Sequence, residues 1–315
     1  MRTPPASPDP HVRRWIRRQL DPAPPRAPSL LMTVWGDAIA PHGGAVMLPG
    51  MIRLLAPLHV NERLVRTSLF RLAREGWLAS TRIGRRSLYR LTPDGARRFE
   101  QAHRRIYAPH EDPWDDTWEL VVADGLSVAA RRRLTEELRW EGFGALADTT
   151  FVRPARSSGA AARIGAAIGI GDRLIVARAR DDSALGGTTL AAAVPRAWDL
   201  TAIAALYRQF LQRFGAVIER FREQDESAHD PEQCFVVRTL LIHAYRRVLL
   251  RDPQLPAALL PLDWPGAAAY ALCRDFYRLT HRSAERHLTA TLQGERGTLP
   301  PATAAFYRRF GGLAD

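Results

Sequence analysis

The sequence predicts an α+β, multidomain chain: a basic N-terminal domain of helices with one hairpin, a small central α+β domain, and a C-terminal helical domain. Three observations lead there. Charge is segregated: residues 1–107 hold 19 Arg against 7 Asp and Glu, a net of +12, while residues 108–315 hold 26 of each sign. Apolar spacing is helical in the first third, strand-like in parts of the middle, and helical again after residue 197. The length, 315 residues, suits two or three domains.

Residues 1–28 carry eight prolines among small and basic residues. They are expected to form a disordered or loosely attached arm, with room for a short helix over residues 11–20. Ser29 to Gly36 is an apolar run with a capping serine and a closing glycine, which predicts a first helix. A Pro41–Gly44 loop follows, then a second short helix over 48–56 stopped by Pro57. Asn61 can cap a third helix over 62–75, closed by Gly76. At about 100° per residue, Val65, Leu69, Leu72 and Ala73 fall in one arc. The opposite arc holds Arg63, Thr67, Arg71 and Arg74, flanked by Arg66 and Ser68. Leu64 and Phe70 also lie toward that side, either to pack on a neighbour or to meet a thymine methyl. Residues 77–91 read as a hairpin turning at Gly84, with Arg82, Arg85 and Arg86 at its tip. Thr92 and Pro93 then start a further helix.

Three helices, a hairpin and a helix, in that order, make a winged helix-turn-helix over residues 29–107. In that motif the third helix lies in the major groove and the hairpin touches the adjacent backbone. Arginine can donate two hydrogen bonds to guanine O6 and N7, worth about 1–3 kcal/mol of discrimination. The candidate DNA-binding residues are therefore Arg63, Arg66, Thr67, Arg71 and Arg74 on the helix, with Arg82, Arg85 and Arg86 on the wing. The wing guanidinia suit phosphate, which positions without reading sequence. A solvated basic helix beside a hairpin would be the bland alternative. Helix pattern, hairpin position and charge excess agree on DNA instead.

The middle segment, 116–195, reads strand (118–123), helix (Ser127 cap, to 141, closed by Gly142), two extended pieces (143–152, broken at Asp148), helix (160–167), strand (174–179). That order predicts a ferredoxin-like α+β domain. Residues 196–315 read as helices over 199–222, about 231–251, and 264–279 after an Asp263 cap. Val237, Leu241, Ala244 and Val248 form a core stripe, and Trp264, Tyr270, Phe276 and Tyr277 are aromatic enough for a core or a pocket.

Several strings point to one family. They are Leu64-Val-Arg-Thr-Ser-Leu-Phe-Arg-Leu-Ala-Arg-Glu-Gly-Trp-Leu78 with Tyr89-Arg-Leu-Thr-Pro-Asp-Gly95; Trp140-Glu-Gly-Phe-Gly-Ala-Leu146 with Arg153-Pro154; His243 to Pro253, ending Arg-Asp-Pro; and Leu255 to Gly266, with Asp-Trp-Pro-Gly. Together they resemble the repressors of the phenylacetic acid catabolic operon, the PaaX-like family. The resemblance implies a homodimeric transcriptional repressor bound to operator DNA and released by an aryl-acyl coenzyme A such as phenylacetyl-CoA. It implies a central domain similar to small CRISPR-associated metal nucleases, which use an aspartate where Asp124 stands here. One carboxylate makes a poor magnesium site, so dimerisation or coupling is the expected role of that domain. For the effector, His243, Arg247 and Arg251 recur at i, i+4, i+8 and could hold coenzyme A phosphates. A solvated helix face competes with that reading.

The exclusions complete the picture. Neither a Gly-x-Ser-x-Gly elbow, a P-loop nor a His-Glu-x-x-His is present, so no enzyme, cofactor or metal is expected. A metal-dependent nuclease or an RNA-binding protein using the central domain is the alternative. No apolar run approaches the ~20 residues that cross a bilayer. The first residues lack the apolar core of a secretory signal. With two cysteines, Cys234 and Cys273, the expectation is a cytoplasmic protein with reduced thiols and no membrane partner.

Overall fold

A computed structural model describes residues 7–21, 24–108, 114–155, 159–182 and 187–313. The chain divides into two compact units. The first comprises residues 1–109, 210–246 and 268–315; the second comprises 110–209 and 247–267. The basic N-terminal third and much of the C-terminal helical segment thus share one unit.

In the first unit, helix α1 (Pro10–Leu20) starts at Asp9, whose carboxylate accepts from the His11 and Val12 amides. The short helix expected over residues 11–20 is present, but it is anchored rather than loosely attached. The Asp9 carboxylate also accepts from Arg220 at 2.9 Å, and the Trp15 ring lies 5.4 Å from that of Phe214. Val12 and Leu20 are buried. The anchoring partners lie about 200 residues away in sequence, beyond the reach of local pattern. Residues 1–6 and 22–23 of that arm lie outside the described residues.

Helix α2 (Ala27–Val34) continues into a π-helical turn, Trp35–Ile39, so Gly36 does not close it and Ser29 lies inside it. Strand β1 (Ala45–Met47), helix α3 (Leu48–Leu55), helix α4 (Glu62–Arg74), strands β2 (Leu78–Ile83) and β3 (Arg86–Leu91), and helix α5 (Pro93–Tyr107) follow. The strands form an antiparallel sheet in the order β1-β3-β2, with Val46 opposite Tyr89 and Thr81 opposite Leu88. The hairpin turns at Gly84, whose φ of +58° suits glycine. Thr92 Oγ1 accepts from the Gly95 amide at 2.9 Å and caps α5. A Cβ at Gly95 would sit 2.3 Å from the Trp77 carbonyl oxygen, so only glycine fits where that helix crosses the hairpin.

The unit's remaining helices carry α2 and α5 on a buried polar cluster. The π-helical turn directs Asp37 inward, where it accepts from the Tyr107 and Tyr277 hydroxyls. Arg309 donates to the Asp37 carbonyl at 2.8 Å, and Arg238 lies 3.4 Å from the Asp37 carboxylate. Arg238 pairs with Glu285 at 3.0 Å, and Glu285 with His42 at 2.7 Å. Burial alone would lower the pKa of His42, but the hydrogen bonds to Glu285 and the Pro300 carbonyl outweigh it and raise the value.

The second unit begins with strand β4 (Trp118–Ala123), helix α6 (Val128–Trp140), strands β5 (Gly144–Ala147) and β6 (Thr150–Pro154), helix α7 (Ala160–Ile168) and strand β7 (Leu174–Ala179). The sheet order is β5-β6-β4-β7, antiparallel throughout. This is the split connectivity expected of a ferredoxin-like domain. Val121, Leu134, Leu138, Phe143 and Phe151 fill its core. Ser127 caps α6 through the Ala130 amide, and Arg132 pairs with Glu136, both at sequence-predicted positions.

Across β4 and β6, Glu119 faces Arg153 at 2.7 Å with both side chains buried. The Arg153 guanidinium lies 4.4 Å over the Phe143 ring. Replacing Glu119 with Ala leaves that cation buried without its main carboxylate partner. A loss of about 3–5 kcal/mol follows, read as an earlier thermal transition. An unchanged melting profile would remove the pair from any role in stability.

After helix α8 (Leu190–Ala197), helix α9 (Leu200–Arg222), helix α10 (Pro231–Leu249), helix α11 (Gly266–Thr291) and helix α12 (Ala304–Tyr307) complete the chain. Within the second unit, the Tyr207 hydroxyl donates to the buried Asp252, Trp264 packs edge-on to Tyr207, and Gly142 lies under the Pro253 carbonyl. Asp252 and Trp264 of the Arg-Asp-Pro and Asp-Trp-Pro-Gly strings therefore serve packing within this unit. Helix α11 extends twelve residues beyond the expected end at 279.

Candidate nucleic-acid interface

Helix α4 is built from both ends. Asn61 Oδ1 accepts from the Leu64 amide at 3.0 Å, and Gly76 takes φ +75° just past the last turn. Val65, Leu69 and Leu72 are buried against the unit's interior, and Ala73 is half-buried. Ser68, placed on the outer flank by angle, is buried as well.

The outer side carries Arg63, Arg66, Thr67, Arg71 and Arg74, all exposed. Arg66 pairs with Glu62 and Arg71 with Glu75, each at 2.7 Å and i, i+4 spacing. Such exposed pairs contribute about 0.2–1 kcal/mol, so either guanidinium can leave its carboxylate for a stronger anion at small cost. Thr67 Oγ1 donates to the Arg63 carbonyl at 2.8 Å, which leaves its lone pairs facing outward. Leu64 is 44% exposed and Phe70 64%. Neither packs into the chain's interior; a large apolar ring among guanidinia is an unsatisfied surface.

The tip of the β2–β3 hairpin presents Arg82, Arg85 and Arg86, all exposed. Arg82 Nε donates to the Gly84 carbonyl at 3.2 Å and Arg86 Nη1 lies 3.4 Å from Gln293 Oε1. Behind them Arg90 pairs with Glu295 at 3.1 Å, an exposed contact between the hairpin and the segment after α11. Helix α4 and the hairpin belong to one compact unit, so both basic surfaces are held by the same core. The exposure of Leu64 and Phe70 follows from helical angle, whereas the Gln293 and Glu295 contacts escaped sequence reading because they join residues about 205 positions apart.

The other candidate residues fall differently. His243 on α10 is buried, its Nδ1 3.0 Å from Thr33 Oγ1. Arg247 and Arg251 are exposed, and Arg251 lies beyond the helix, which stops at Leu249 rather than at 251. Asp124 is exposed at the end of β4 and accepts from the Gly125 amide at 2.8 Å. Among the described residues no group of three or more His, Cys, Asp or Glu is placed to hold a metal ion, and no helix is long and apolar enough to cross a membrane.

Comparison with known proteins covers nearly the whole chain. Residues 26–95 match the model of PaaX-like proteins, 111–192 that of the PaaX central Cas2-like domain, and 198–290 that of the PaaX-like C-terminal domain. A solved structure, the uncharacterized protein Rv0674 from Mycobacterium tuberculosis, is similar with a TM-score of 0.54 and 25% identity. The similarity covers 84% of this chain and 98% of that one. The transcriptional repressor PaaX of Escherichia coli (strain K12) is 35% identical over 299 residues, 95% of this chain and 94% of that protein. With three family domains in order and that identity over that length, this chain belongs to the PaaX-like protein family.

Proposed function

We propose that the protein is a ligand-responsive transcriptional repressor that binds operator DNA through a winged helix formed by α2, α3, α4 and the β2–β3 hairpin. The observation that carries this reading is the exposed side of α4, which presents Arg63, Arg66, Thr67, Arg71 and Arg74 together with the Phe70 ring. Arginines on that helix read guanine edges, Phe70 offers an apolar contact to thymine methyl groups, and Arg82, Arg85 and Arg86 hold phosphates of the adjacent backbone. The family membership supports the regulatory role, since the Escherichia coli relative is named a transcriptional repressor.

Residues 29–107 act as the DNA-binding domain, 116–195 as a coupling and dimerisation domain, and 196–315 as the effector domain of a cytoplasmic homodimer. The effector is an aryl-acyl coenzyme A of the phenylacetate type, and Arg247 and Arg251 are the exposed cations that remain available for its phosphates. Allostery requires that this ligand prefer the state that binds DNA poorly.

Fluorescence anisotropy against the DNA upstream of the protein's own gene tests the reading. The expected result is binding at least about a thousandfold tighter than to a random duplex, weakened about 5–150-fold by phenylacetyl-CoA and not by free phenylacetate. Equal affinity for both duplexes would sink the repressor reading. Specific binding that ignores every acyl thioester would sink the effector assignment alone.

A further inference from the structure

Helix α1 shows two unlike sides. Val12, Trp15, Ile16 and Gln19 face inward, and the helix is held by Asp9 to Arg220 and by Gln19 to Arg213 at 2.6 Å. Arg13, Arg14, Arg17 and Arg18 are all exposed and fall within an arc of about 140° on the other side. The helix itself contains no acidic residue; its flanking carboxylates are Asp9, used by the cap and by Arg220, and Asp21. Arg13 with Arg17 and Arg14 with Arg18 are like charges at i, i+4, an arrangement that disfavours an isolated helix. The helix dipole accounts for Arg17 and Arg18, which lie in the last turn, but not for Arg13 and Arg14 in the middle. Packing does not account for them either, because none of the four is buried.

The position of this face is informative. Asp21, the C-cap of α1, lies 3.7 Å from His59, two residues before the Asn61 cap of α4. The arginine-bearing helix therefore ends beside the start of the helix that carries the candidate base-reading residues, and both belong to the same compact unit. The segment also lies ahead of residue 26, where the first family match begins.

We infer that the outer face of α1 is a second nucleic-acid contact, in which Arg13, Arg14, Arg17 and Arg18 bind the phosphate backbone of the duplex flanking the stretch read by α4. This rests on the DNA-binding role proposed above. The face lengthens the footprint and adds affinity without adding sequence preference, since phosphate contacts position rather than specify. Each phosphate neutralised releases counterions and steepens the logarithmic salt dependence by about 0.9.

The test compares the full chain with two fourfold variants, Arg13, Arg14, Arg17 and Arg18 all →Gln, and the same four all →Lys. Each is titrated from about 50 to 200 mM salt against its own upstream duplex and a long random duplex. Circular dichroism verifies that the helices remain. The Gln variant should show a salt slope shallower by about two to four on both duplexes, with the ratio between the duplexes unchanged. The Lys variant should keep the wild-type slope, because a phosphate contact needs the charge rather than the guanidinium plane. A Gln variant that binds like wild type overturns the inference and leaves the function of α4 intact. A Lys variant as impaired as the Gln variant also overturns it. Loss of binding confined to single-stranded RNA, or to phosphatidylserine vesicles, assigns the face to another partner and overturns it too. Failure of the wild type to bind either duplex removes both this contact and the proposed function.

Discussion

Replacing Asp37 with Ala lowers the thermal transition of the compact unit that contains it by roughly 6–20 °C, from a loss of about 3–5 kcal/mol at 2–4 °C per kcal/mol for a unit of this size. The carboxylate is 2% exposed and is shared by two tyrosine hydroxyls and two arginines whose side chains are fully buried. In the wild type, Asp37 and Glu285 balance Arg238 and Arg309, so the cluster carries no large net charge. Without Asp37 one guanidinium charge is left uncompensated in the interior, and both hydroxyls lose an acceptor. Burial is the largest of the effects that hold Tyr277 and Tyr107 above the ordinary tyrosine pKa, and it persists in the variant, so neither ring supplies a substitute anion. Asp37→Asn keeps an acceptor oxygen and loses only the charge, so it should fall between the two. Differential scanning calorimetry distinguishes the three proteins. An Asn variant that melts with the wild type would mean that the cluster is held by hydrogen bonds and shape rather than by charge. Because α4 packs on α2, whose turn carries Asp37, the Ala variant should lose affinity for all duplexes together.

That cluster marks the limit of what sequence pattern shows. Helix α4 and its cap, the hairpin at Gly84, the Thr92–Pro93 helix start and the strands of the central domain are written in local spacing, so they were legible. Strand β1 was not: three residues are too few to show a period, and the strand it pairs with, β3, lies about 40 residues on. The end of α11 was hidden for another reason. Thr280, His281 and Ser283 are buried, and their polarity reads as the end of an apolar stripe. In the helix Thr280 Oγ1 donates to the Phe276 carbonyl at 2.6 Å and the His281 ring bonds the Tyr277 carbonyl, so the helix satisfies its own polar groups. Nothing local marks Arg238 and Arg309 as buried, since their shared partner Asp37 is more than 200 residues away. The candidate interface was legible because exposure on one helix follows angle. His243 was misleading because its partner, Thr33, lies on a helix 210 residues earlier.

Two substitutions on the candidate interface should separate reading from holding. Arg71 projects from the middle of the outer side of α4, 66% exposed and paired with Glu75. If it donates to guanine O6 and N7, Arg71→Ala costs about 1–3 kcal/mol on the upstream duplex, a loss of roughly 5–150-fold. The random duplex, which offers no fixed guanine, should be nearly unaffected. Arg86 starts β3 beside the hairpin tip, and its Nη1 lies 3.4 Å from Gln293 Oε1, at the long end of hydrogen-bond distance. A phosphate partner predicts that Arg86→Ala weakens both duplexes alike and flattens the logarithmic salt slope by about 0.9. The two variants therefore differ in the ratio of specific to non-specific affinity, which is a quantity that partial unfolding does not change. Anisotropy titrations at two salt concentrations provide it. If Arg71→Ala lowers both affinities equally and leaves the ratio intact, Arg71 is a phosphate contact and another residue of α4 reads the operator. If neither variant differs from wild type on either duplex, the outer side of α4 is not the DNA-binding surface.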